Sequence, residues 1–168
     1  TAPDKSYALI STSAGVFRYV PPTTPEGAWD VTCLLVQPTS DIVATDFDGD
    51  GKLEILTFSK FHGDTLAIWH EGQTRDRYEQ VWCDPQKRSF LHALWAADLN
   101  GEKCAVIGNR KDGRDLLLVR YVDGQYTVDV IDHDLGPANC MVYRHDGSDY
   151  IVAAYRETDQ LALYKVVE

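Results

Sequence analysis

The 168 residues predict an all-β chain of short antiparallel strands, and three observations carry that reading. The apolar runs are short, β-branched or aromatic, and bounded by Gly, Asp and Pro. Helical periodicity is almost absent. One order of strand and turn recurs along the chain at a nearly constant spacing. Runs such as YALIST, GVFRYV, DIVATDF, LEILTF, TLAIWH, HALWAADL, CAVIGN, LLLVRYV, YTVDVID, YIVAAY and LALYKV suit a pleated, half-buried surface. Between them stand Gly63-Asp64, Asp112-Gly113, Asp123-Gly124 and Asp146-Gly147, expected to supply the positive φ of hairpin turns.

The repeat emerges when three stretches are set in register: DIVATDFDGDGKLEILTFSKFHGDTLAIW, HALWAADLNGEKCAVIGNRKDGRDLLLVRY and NCMVYRHDGSDYIVAAYRETDQLALYK. Each runs from an apolar strand through an Asp/Gly turn into a second strand, a polar turn and a third strand. Asp46, Asp98 and Arg144 are equivalent, 52 and then 46 residues apart. A fourth strand opens with an aromatic residue, at Trp29, Tyr78 and Tyr126. Four strands per unit and a period of about 48 residues are the signature of β-propeller blades.

The blade units are expected at about 5–37, 38–87, 88–136 and 137–168. The first holds strands two to four and the last strands one to three, about three and a half blades in one domain over 1–168. Propellers usually close with about four to eight blades. The expectation is therefore a piece of a longer propeller, a half-ring completed by self-association with a second copy, or a small ring closed by the chain's own ends.

Bulk properties narrow the function. The formal net charge is −10, which gives no electrostatic case for nucleic acid or an anionic membrane surface and suits cations better. No run approaches the roughly 18 apolar residues of a membrane helix, and TAPDKSYALISTSAG shows no signal-peptide pattern. The chain reads as soluble, with its compartment unassigned. Cys33, Cys83, Cys104 and Cys140 form no CxxC pair and sit among apolar residues. Buried free thiols are the expectation and disulfides the rival.

One stretch carries chemistry. In DFDGDGKLE, Asp46, Asp48, Asp50 and Glu54 stand at positions 1, 3, 5 and 9, and Gly51 permits a sharp turn. Alternate residues of a curled loop point inward, so the carboxylates converge. The Lys52 carbonyl is placed to add another oxygen. Ca²⁺ wants six to eight oxygens at about 2.3–2.6 Å, and four uncompensated acids would repel one another. An EF-hand is excluded, because position 12 is Thr57 and the flanks are strands. The plain alternative is a solvated acidic turn. The equivalent turns, Asp98-Leu99-Asn100-Gly101-Glu102 and Arg144-His145-Asp146-Gly147, have lost ligands and are expected to bind nothing.

DIVATDFDGDGKLEIL resembles the FG-GAP or VCBS type of propeller repeat, in which an Asp-rich calcium loop joins the first two strands of a blade. The resemblance implies one Ca²⁺ site at Asp46, Asp48, Asp50, Lys52 and Glu54, in a binding or scaffold module with a carbohydrate or protein partner. HALWAADLNGE is also similar to strands in the propeller part of aldos-2-ulose dehydratases, which implies the alternative of a lyase or isomerase acting on carbohydrate. His92, just before an innermost strand, and His133, near the same rim, are then the candidates for general base or ligand; hydrogen-bonded structural histidines are the rival reading. Trp69 and Trp82, on neighbouring strands, are candidates for stacking on a sugar, against a role in packing between sheets. Trp29 and Trp95 are weaker candidates of the same kind.

Overall fold

A computed structural model describes residues 6–167. Fourteen strands and no helix make up these residues. They form four antiparallel sheets, each a meander of strands consecutive in sequence. The first holds β1 (Ala8–Thr12), β2 (Gly15–Val20) and β3 (Asp30–Leu35). The second holds β4 (Thr39–Thr45), β5 (Glu54–Ser59), β6 (Leu66–Glu71) and β7 (Tyr78–Cys83). The third holds β8 (Leu91–Leu99), β9 (Glu102–Asn109), β10 (Leu116–Val122) and β11 (Gln125–Asp132). The fourth holds β12 (Pro137–His145), β13 (Ser148–Tyr155) and β14 (Gln160–Lys165). The first and last sheets stay separate, with no ladder joining β14 to β1 among the described residues. No described helix is long and apolar enough to cross a membrane.

The sheets stack face to face in chain order, and the strand period of two explains how. On β5, Leu56 and Phe58 join Leu66, Ile68, Ala105, Ile107, Leu117 and Val119 in the core between the second and third sheets. Ile55 points the other way and packs with Val16, Leu34 and Leu35 of the first sheet. A third core joins Cys104, Val106 and Leu116 to Cys140, Ile151, Ala153 and Tyr155. Fully buried residues such as Phe58, Ile68 and Ile107 each contribute about 1.5–3 kcal/mol by leaving water. Central sheets covered on both faces explain why β5 and β9 read as almost continuous apolar runs.

The repeat is written into irregularities as well as strands. The register slips by one residue at Ser40 on β4, His92 on β8 and Ala138 on β12. It slips again at Leu34, Val81 and Ile131 on the last strand of the first three sheets. Such bulges bend and twist a strand, and they recur here at equivalent positions.

Three expectations need correction. At Gly63-Asp64 the left-handed residue is His62, with φ 52°, and not Gly63. Gly63 is required for closeness instead, since a Cβ there would lie 2.0 Å from Ser59 Oγ and 2.6 Å from Ser59 O. Trp29 stands just outside β3 and is exposed. All four thiols are free, and Cys104 and Cys140 are buried as expected, but Cys83 is exposed because β7 is an edge strand and Cys33 is half-buried. At Asp112-Gly113, Asp123-Gly124 and Asp146-Gly147 both residues have positive φ, as the hairpin turns demand.

Candidate metal centre

The loop from Asp46 to Leu53 joins β4 to β5. Its two glycines take the left-handed backbone the curl needs, Gly49 at φ 76° and Gly51 at 87°. The curl folds the acids onto the loop's own amides. Asp46 accepts from the N–H of Gly49 at 2.8 Å and of Gly51 at 3.0 Å. Asp48 accepts from Asp50 N–H at 3.1 Å, and Asp50 from Lys52 N–H at 2.8 Å. The Lys52 main chain thus lies against Asp50. The donor oxygens of Asp46, Asp48, Asp50 and Glu54 all lie within 4.8 Å of one another.

Glu54 is the residue on which the centre turns. It is the first residue of β5 and is completely buried. One oxygen, Oε2, accepts the Phe47 N–H at 2.6 Å, while Oε1 has no hydrogen-bond partner. A buried carboxylate oxygen without a partner is costly, and a carboxylate is compensated by a proton or a cation. Burial pushes the Glu54 carboxyl up to about 7; the Asp48 charge adds to this, and the Phe47 N–H and His70 oppose it. A single oxygen aimed into a cluster of acids fits a hard cation.

His70 belongs to the centre and was not visible from the loop spacing. It lies on β6, one residue beyond the Ile55–Trp69 pair, which puts it across the ladder from Glu54. Its Nε2 is 3.2 Å from Asp50 Oδ2 and 3.6 Å from Glu54 Oε1. Its Nδ1 is 2.8 Å from the Glu71 carbonyl. A carbonyl cannot donate, so Nδ1 carries a proton. Burial works against the charged imidazole, but the Glu71 carbonyl and the Asp50 and Glu54 carboxylates outweigh it and raise the pKa. The only sequence signal was a histidine closing the apolar run TLAIWH, two strands from the first aspartate.

A groove of about 580 Å³ opens beside the centre. Asp48, Asp50 and His70 line one end, and Trp82, Tyr121 and Tyr126 supply aromatic walls. Tyr126 sits 4.8 Å from Tyr121 and 5.9 Å from Trp82, ring centre to ring centre. Trp69 does not share this wall. It packs on the opposite face of the second sheet and donates its indole N–H to Thr57 at 2.9 Å.

The other candidates are held locally. His92, a bulge residue, is exposed and bonds through Nδ1 to the Ala138 carbonyl at 2.9 Å. Its ring belongs to a stack with His62 and Phe90. His133 is exposed and pairs with Asp134 at 2.8 Å. No hydrogen bond or ring contact joins the two among the described residues. Trp95 lies against the fourth sheet, beside Met141 and Val152. At the turns equivalent to the loop, Asp98 pairs with Lys103 at 2.6 Å, and Arg144 bonds to the Gly147 carbonyl at 3.2 Å.

Compared with protein-family models and with curated proteins, the chain matches none.

Proposed function

We propose that the chain is a calcium-stabilised β-propeller module of the FG-GAP/VCBS type, and that it serves to bind a partner. The observation that carries the calcium reading is the buried, unpartnered Glu54 Oε1 facing Asp46, Asp48 and Asp50. A hard cation takes oxygen ligands from a flexible loop, and this loop offers four carboxylates with two left-handed glycines to gather them. The four consecutive meanders and their repeated bulges support the blade reading. The groove beside the loop supports carbohydrate as the partner, because it sets aromatic faces beside a few convergent polar groups.

The test is thermal unfolding in EDTA and in Ca²⁺. A cation held at about 100 times its Kd adds about 2.7 kcal/mol to stability. Calcium is expected to raise the melting temperature of the chain and to leave a double Asp46→Ala/Asp48→Ala variant unmoved. A chain whose melt is the same in EDTA and in Ca²⁺ has only an acidic turn at this place.

A further inference from the structure

We propose that Asp48, Glu54 and His70 form a second cation site against the calcium loop, suited to a first-row transition ion of the Zn²⁺ class. The inference rests on the calcium reading only for the occupant of the adjoining loop, with which it shares Asp48 and Glu54. The donor atoms of the three residues lie within 4.8 Å of one another. They come from three places in the second sheet: the loop, the start of β5 and the end of β6.

The donor set differs in kind from that of the loop. Ca²⁺ is held by oxygen, whereas imidazole nitrogen favours Zn²⁺ and its transition-metal neighbours. The His70 ring is arranged as a ligating histidine usually is. Its Nδ1–H is donated to the Glu71 carbonyl, which fixes the ring and turns Nε2 toward Glu54 and Asp50. The Nε2–Oε1 distance of 3.6 Å is longer than a good hydrogen bond. It is close to the ~3.3 Å between neighbouring ligands in a tetrahedron with bonds of about 2.0–2.1 Å. Glu54 Oε1 is fully buried with no hydrogen-bond partner, and it is the oxygen that the two ions would share. Asp50 Oδ2 accepts a hydrogen bond from the same nitrogen at 3.2 Å, and an ion on Nε2 would displace that bond and its proton. Three protein ligands leave one coordination position of a tetrahedral ion, and His70 and Asp48 both line the aromatic groove. An oxygen from a groove-bound molecule is the fitting fourth ligand.

The test titrates the metal-stripped chain, saturated with Ca²⁺, with Zn²⁺ and with Co²⁺ as a coloured substitute. A Cys33→Ser/Cys83→Ser background removes the two accessible thiols as competing ligands. One equivalent is expected to bind, with a Co²⁺ visible spectrum of low symmetry. His70→Asn removes Nε2 while its amide reaches toward the Glu71 carbonyl. It is expected to weaken Zn²⁺ by about tenfold or more and to abolish the Co²⁺ spectrum, while the calcium-dependent melting shift persists. Asp46→Asn is expected to do the reverse, weakening Ca²⁺ and sparing Zn²⁺. Equal Zn²⁺ affinity in the His70→Asn variant overturns the second site, as does displacement of Co²⁺ by Ca²⁺ mole for mole. His70-dependent Zn²⁺ binding in a chain whose melt ignores Ca²⁺ would sustain this site and remove calcium from the loop.

Discussion

The backbone N–H of Phe47 donates to Glu54 Oε2 at 2.6 Å, across the neck of the acidic loop. The bond leaves the other oxygen, Oε1, buried and unpartnered among acids. Glu54→Gln keeps an oxygen for Phe47 and removes the charge. In EDTA the variant is expected to be more stable than the parent by about 1–3 kcal/mol, the cost of an uncompensated buried acceptor. In Ca²⁺ the order is expected to reverse, because the variant has lost a charged ligand. Urea unfolding under both conditions measures both signs, and a variant less stable in each would show that Glu54 is merely structural.

The loop was legible in the sequence because its ligands are close together in the chain. Three aspartates in five residues, a glycine and strand flanks needed no tertiary information. His70 was illegible because it comes from a neighbouring strand, and only the β5–β6 register brings it to Glu54. The strands were legible from short β-branched runs bounded by turn residues. The bulges at Ser40, His92 and Ala138 were not, since each depends on how two strands pair. Gly63 misled for a related reason: a Gly-Asp pair signals a turn, but the proximity of Ser59 decides what the glycine is for.

Arg88 is buried between Asp84, at 2.9 Å, and Asp115, at 3.8 Å. Asp84 also accepts the Gln86 N–H at 2.9 Å, so the guanidinium ties the connection between the second and third sheets to β10's entry. Arg88→Ala leaves two carboxylates buried without their cation. A loss of about 3–5 kcal/mol is expected in denaturant unfolding. A loss under 1 kcal/mol would mean that water reaches both acids.

Thiol reactivity should divide the cysteines. Burial pushes the Cys104 and Cys140 thiols up to about 12, whereas Cys83 is exposed on an edge strand. Iodoacetamide at pH 8 is expected to label Cys83 first and Cys33 more slowly. Cys104 and Cys140 should remain unlabelled until the chain unfolds, when all four react. Mass spectrometry of the labelled peptides reads the order, and early labelling of Cys104 would contradict the packing between the third and fourth sheets.

The outer faces of the end sheets are apolar. Ile10, Phe17 and Cys33 lie in one cross-strand row on the first, and Met141, Val152 and Leu163 in one row on the fourth. Ile10, Met141 and Leu163 are exposed. Such faces invite another sheet, and at micromolar concentration the isolated 168-residue chain is expected to self-associate, most simply as a dimer. Light scattering gives the mass. Leu163→Lys should shift it toward that of a monomer, and a parent chain that is already monomeric would end the idea.

Among the described residues, every ladder joins strands adjacent in sequence. Each sheet can therefore zip up from its own hairpins without waiting for a distant segment, and only the docking of sheet on sheet requires long loops to close. Opening should be graded in the same way. The two middle sheets are clamped on both faces, and the end sheets on one. Amide protons of β5 and β9 should exchange with solvent last, near the rate of global unfolding, and those of β1 and β14 first. The stacking order of the sheets is thus also a clock, running inward from both ends.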